Sequence, residues 1–186
     1  MAIKRLVIDG FGQIELNNVA WRRDGRIEAQ CALDAEAFAS VPAENGMLLA
    51  VDAENQVVKF YNASEDLPLA INYSSEHLYD ERSSGLKDFN LKPGQLYPRM
   101  GYPAVGDKFT TNCLCADDAE FADMAALKKA YLEDKTVIYG TSSTEGAIKV
   151  TKTKPTTGIV LMAIHGAGAG SMPDGQFAVK FQVMAV

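Results

Sequence analysis

Short alternations of apolar and polar residues, each cut off by glycine, proline or an Asx–Gly pair, run almost the whole length of this chain. A strand places successive side chains on opposite faces, so this pattern builds half-buried β-strands and leaves little room for long helices. Ile3 to Ile8 alternates basic and apolar residues before Asp9-Gly10-Phe11-Gly12 breaks the run. Gln13 to Arg23 is rich in Val, Ile, Leu and Trp, and meets Asp24-Gly25 ahead of Arg26 to Leu33. Asp-Gly between two such runs suits a type I′ turn, which needs positive φ at both central positions. The expectation is a hairpin over 13–33, with Trp21 and Ile27 on a shared buried face and Arg22, Arg26 and Glu28 nearer solvent. A second hairpin is expected over 47–62, turning near Glu54-Asn55, and a short strand from Pro68 to Tyr73.

Further along, Gly106-Asp107 opens a strand predicted to run as far as Cys115. Asp117-Asp118-Ala119-Glu120 then reads as the start of a helix to about Glu133, since aspartates suit the N-cap and first turn. Phe121, Met124, Leu127 and Tyr131 form its apolar stripe, which should pack on the parent sheet. Strands follow at 136–140, 147–154, 159–164 and 177–186. With 186 residues, about ten strands, one helix and no internal repeat, the expected fold is mainly β. It is an antiparallel β-barrel or sandwich with one short α-helix near residues 117–133, in a single β-rich domain over 1–186.

A long irregular stretch at about 74–106 interrupts this order. Ser83-Ser84-Gly85, Pro93-Gly94, Pro98, Gly101 and Pro103 break regular structure there. Yet it carries Leu78, Tyr79, Leu86, Phe89, Leu91, Leu96, Tyr97, Met100 and Tyr102, whereas a disordered linker is poor in such residues. Tyrosine and arginine are the types that anchor protein interfaces. Tyr79, Arg82, Tyr97, Arg99 and Tyr102 are therefore the candidate interface residues, together with the chain ends. The alternative is that the stretch folds over its own domain and buries its aromatics.

The candidate chemistry is thin. Cys31, Cys113 and Cys115 are too few for a disulfide framework, and only His77 and His165 stand beside them as further zinc ligands, without partner spacing. Positions 113 and 115 share one face of a strand, so two small buried residues is the simpler reading. Gly166-Ala167-Gly168-Ala169-Gly170-Ser171 lacks both phosphate-loop spacings, and Pro173-Asp174-Gly175 precludes the helix such loops require; a connection between strands is expected. Asp80-Glu81, Asp117-Asp118 and Glu133-Asp134 lack the spacing of a calcium loop. These readings lead to an expectation of no catalysis, no cofactor and no bound metal. The net charge of −6, without a basic block, argues against nucleic acid. No apolar run approaches the roughly 20 residues that span a bilayer, and the charged start at Lys4-Arg5 is unlike a secretion signal.

The segment Gly12-Gln13-Ile14-Glu15-Leu16-Asn17-Asn18-Val19-Ala20-Trp21-Arg22-Arg23-Asp24-Gly25-Arg26-Ile27-Glu28-Ala29-Gln30 resembles the start of small structural proteins of tailed bacteriophages. Gly106-Asp107-Lys108-Phe109-Thr110-Thr111-Asn112 is similar to a segment of the same group. The resemblance implies a capsid decoration or cement protein that binds the outside of the shell and stabilises it. Its partners would be the major capsid protein and further copies of itself, as a trimer for example, on a virion assembled after synthesis in the host cytoplasm. No catalytic residues come with this resemblance. A carbohydrate- or host-surface-binding β module of a phage particle is the second expectation, and an enzyme the third.

Overall fold

The computed structural model describes residues 3–74, 85–167 and 169–186. In chain order it runs β1 (Ile3–Arg5), β2 (Ile14–Asn18), a short helix α1 (Ala20–Asp24), β3 (Ile27–Glu28), β4 (Ala32–Leu33), β5 (Ala43–Glu44) and β6 (Leu48–Asp52). Then come β7 (Val57–Lys59), β8 (Leu69–Asn72), a 3-10 turn at Leu86–Asp88, β9 (Asn90–Leu91), β10 (Met100–Gly101), β11 (Lys108–Thr111) and β12 (Leu114–Asp117). The helix α2 (Met124–Leu132) precedes β13 (Tyr139–Thr141), β14 (Ile148–Thr151), β15 (Val160–Ala163) and β16 (Val179–Ala185). The fold is mainly β, with a curled eight-stranded sheet ordered β1-β12-β14-β13-β15-β16-β11-β2 and a six-stranded sheet ordered β3-β10-β8-β6-β7-β4. A barrel-like or sandwich arrangement with a short helix describes it. Pairing is antiparallel except for β12 with β14 and β4 with β7, which are parallel.

Two apolar clusters follow from the strand alternation. Leu114, Ala116, Ile148, Val150, Phe109 and Phe181 face one cluster, where Leu6 and Ile14 from the two edge regions of the large sheet also meet. Leu127 and Tyr131 of α2 complete it, so the helix stripe packs on the sheet as its spacing predicts. Cys115 on the opposite face of β12, and Cys113 just before that strand, join the second cluster beside Met47, Leu49, Val51 and Phe38. Leu48 and Leu49 point to different clusters, so β6 is buried on both faces. Fully burying each such aliphatic side chain contributes about 1.5–3 kcal/mol.

The expected hairpin over 47–62 is present, with Asp52 opposite Val57 and Gln56 at φ 55 in the turn. The hairpin over 13–33 is not. Residues 20–24 form α1 instead, and β2 pairs with β11 while β3 pairs with β10. Gly25 at φ 71 caps α1, its N–H donating to the Trp21 carbonyl. A C-cap and a type I′ turn both ask for a glycine in the left-handed region, so Asp24-Gly25 fits either. Burial of the whole Trp21 ring in the first cluster favours the helical solution.

The helix expected from Asp117 starts at Met124. Asp117 still belongs to β12, opposite Ile3, and its carboxylate accepts the Ala119 N–H at 3.1 Å in a turn. Asp123 is the true cap, accepting from Ala126 N at 2.8 Å. The strand expected from 105 to 115 is two strands, separated where Asn112 Oδ1 accepts the Gln13 N–H at 2.7 Å. The glycine-rich segment does connect two antiparallel strands, β15 and β16.

Candidate functional site

A groove of about 590 Å³ lies between the β7–β8 connection, the segment after β10, residues 158–159 and Val186. Tyr61, Leu67, Pro68, Tyr102, Pro103, Ile159 and Val186 give its apolar lining, and Ser64, Glu65 and Asp66 its polar side. The β7–β8 connection is held by its own side chains. Asn62 Oδ1 accepts the Ser64 N–H at 3.1 Å, and Asn62 Nδ2 donates to Glu65 Oε1 at 3.0 Å. Lys59 Nζ, at the end of β7, reaches Glu65 Oε2 at 2.6 Å and Asp52 Oδ2 at 3.5 Å. The Lys59 ammonium and the Asn62 amide hold the Glu65 carboxyl below its ordinary range. Asn55, donating from both its side chain and backbone, does the same for Asp52.

The opposite wall is fixed by pairing. Tyr102 N donates to the Arg26 carbonyl at 3.0 Å, continuing the β10–β3 ladder. Ala104 N and Ala20 N donate to the two carboxylate oxygens of buried Asp107 at 2.7 and 2.6 Å. Gly106 N donates to the Val183 carbonyl at 2.9 Å, so residues 103–106 lie beside the end of β16. Exposed apolar residues stand on these same segments: Val105 is 66% exposed, Met184 41% and Val186, which lines the groove, 71%.

Of the candidate interface residues, Tyr79 and Arg82 lie outside the described residues. Tyr97 is 58% exposed beside exposed Leu96. Arg99 is half-buried, with its guanidinium 6.0 Å from the Tyr73 ring centre. Tyr102 is half-buried, lines the groove, and has its phenol pushed up by burial. The irregular stretch therefore divides. Leu91 and Met100 are inside, Phe89 packs against the second cluster, and Leu96-Tyr97 faces outward. Sequence reasoning overlooked Tyr61, which alternation places at the end of a strand, and Pro103, which reads only as a chain breaker.

A second polar group lies inward, at the edge of the second cluster. Arg5 donates to Glu44 Oε2 at 2.6 Å and to Cys113 Sγ at 2.9 Å, and Gly12 N donates to the same Glu44 oxygen at 2.5 Å. Burial pushes the Cys113 thiol up to about 11 despite the opposing guanidinium, and Cys115 up to about 12. Both thiols are protonated at neutral pH, which suits a structural tie between β1, β5 and β12 rather than nucleophilic chemistry. His165 is exposed and stacks on Tyr131 at 4.6 Å between ring centres, while His77 lies outside the described residues. Among the described residues there is no group of three or more His, Cys, Asp or Glu that could hold a metal ion. No helix among them is long and apolar enough to cross a membrane.

Fold and groove together describe a mainly β protein with a groove lined by Tyr61 and Tyr102. Comparison with protein-family models, with curated proteins and with solved structures finds no match.

Proposed function

We propose that this chain is a structural protein of a tailed-phage particle, a decoration or cement protein that adheres in several copies to the outside of the major capsid shell. The observation that carries this reading is the set of apolar side chains at and beside the groove, half-buried Tyr102 within it and exposed Val105, Met184 and Val186 on the segments that adjoin it. Exposed apolar patches of that kind mark interaction sites, and tyrosines at their centre are typical anchors. The exposed Leu96-Tyr97 turn adds a second point of adhesion. The sequence resemblance at 12–30 and 106–112 supports the virion setting.

A carbohydrate on a host surface is the second reading. Tyr61 and Tyr102 share one groove with Glu65 and Asp66, the combination of flat apolar faces and hydrogen-bond acceptors that sugar rings fit. The two readings part on one experiment. Purified particles are analysed by mass spectrometry, and the free protein is screened for glycan binding. Stoichiometric presence in particles without saturable glycan binding supports the decoration reading. Absence from particles removes it.

A further inference from the structure

Beside the tyrosine groove, with Tyr61 on the shared wall, lies a second cleft of about 470 Å³ whose chemistry is different. Eight of the thirteen residues lining it are serine or threonine, two are Lys149 and Lys154, and none is a carboxylate. That is unexpected on a chain of net charge −6. We propose that this cleft is a binding site for a tetrahedral oxyanion, a phosphate or sulfate group carried on a larger molecule.

The cleft is held together by its own bonds. Lys149 and Thr151 alternate along β14 with Ile148 and Val150, which belong to the first apolar cluster, so the core fixes which face the polar pair presents. Thr141 stands opposite Lys149 in the β13–β14 ladder. The loop between these strands is tied by Ser143 Oγ, which donates to the Ala147 carbonyl at 2.5 Å and accepts from Glu145 N at 3.3 Å.

Glu145 follows Thr144 in the loop and is exposed, and the Glu120 carboxylate bonds to the lining residue Thr151. Glu120 accepts from Thr151 Oγ1 at 3.0 Å and from Lys152 N at 2.6 Å, so both its oxygens are already engaged. Lys149 and Lys154 form no ion pair among the described residues. Ser143 and Thr151 have their protons committed to Ala147 and Glu120, but the remaining hydroxyls, such as Thr141, Thr153 and Thr156, can donate to an anionic oxygen, and two ammonium groups supply the compensating charge; such charge-assisted bonds are the strong ones. The cleft is much roomier than a bare tetrahedral anion, so the charged group should come with a body attached. This site does not depend on the reading of the neighbouring groove.

The test is a titration of the intact protein, followed by backbone amide NMR at matched ionic strength, with inorganic phosphate, tripolyphosphate and sulfated dextran. The expected result is saturable shifts confined to residues 141–157 and to Ile3 and Tyr61 on the facing wall, with tripolyphosphate or the sulfated polymer binding more tightly than inorganic phosphate. Lys149→Ala with Lys154→Ala should weaken binding about tenfold or more. Lys149→Arg with Lys154→Arg should preserve it, as should Lys128→Ala with Lys129→Ala on the exposed side of α2. Tripolyphosphate binding without the dextran assigns the site to phosphate groups, and the reverse to sulfate groups. Shifts scattered over all lysines, an equal loss in the α2 variant, or binding of inorganic phosphate alone would overturn the proposal.

Discussion

Asp107 joins three segments far apart in the chain. Its carboxylate accepts from Ala20 at the start of α1 and from Ala104 beside the groove, while its carbonyl accepts from Val183 of β16 at 2.9 Å. Asp107→Ala leaves two amides without their acceptor and should cost about 1–3 kcal/mol, read from the urea midpoint. Asp107→Asn keeps one acceptor oxygen and should cost less. The cysteines make a separate prediction. Cys31, Cys113 and Cys115 are buried, and burial raises all three thiols, so none should react with a thiol reagent at neutral pH until the protein unfolds. Fast labelling of the native protein would contradict the packing at Cys113.

Protonation acts on the groove through Asp52 and Glu65. Both carboxyls are held below their ordinary values of 3.8 and 4.5, so their bonds favour the folded loop above those values. That support is lost as pH falls through the lowered values, because the unfolded chain takes up protons first. Lys59 stays charged throughout. Amide protection at residues 61–69, taken relative to the intrinsic exchange rate at each pH, should therefore fall on acidification below about pH 4, ahead of protection in β6. Lys59→Met should remove the larger part of the Glu65 share of that pH dependence and leave the Asp52 share, which Asn55 holds; an unchanged profile would contradict the role of the clamp.

At the scale of elements, Gly101 and Trp21 show how β10 meets α1. A Cβ on Gly101 would collide with the Trp21 indole, which is fully buried. Gly101→Ala should destabilise by about 1–3 kcal/mol and shift the Trp21 fluorescence. Asp123→Ala removes the α2 cap and should cost about 1 kcal/mol.

The elements that were legible in the sequence have their instructions nearby. The hairpin over 47–62 has two alternating runs and a polar turn, and the α2 stripe has Leu127 and Tyr131 at helical spacing. What escaped depends on distant partners. α1 forms where local propensity suggests a strand, because its first N–H is satisfied by Asp107 and its tryptophan by a remote core. Two-residue strands such as β3, β5 and β10 are too short for alternation to register. The groove was half legible: Tyr102 and the chain ends were candidates, but that Tyr61, Pro103 and Val186 converge with Tyr102 follows only from the sheet order.

At the scale of the whole molecule, two buried clusters hold a mainly β framework, and its apolar surplus emerges at the groove and the Leu96-Tyr97 turn. On the proposed reading, adhesion through the groove and the Leu96-Tyr97 turn gains strength from multiple copies rather than from any one contact. The most direct measurement of that claim is occupancy on particles. Shells lacking the protein are mixed with purified wild type or with Tyr97→Ala/Tyr102→Ala, and bound copies are counted after sedimentation. The account predicts that the double variant folds, as its circular dichroism should show, yet leaves most shell sites empty. A folded double variant that decorates the shells at full occupancy would contradict it.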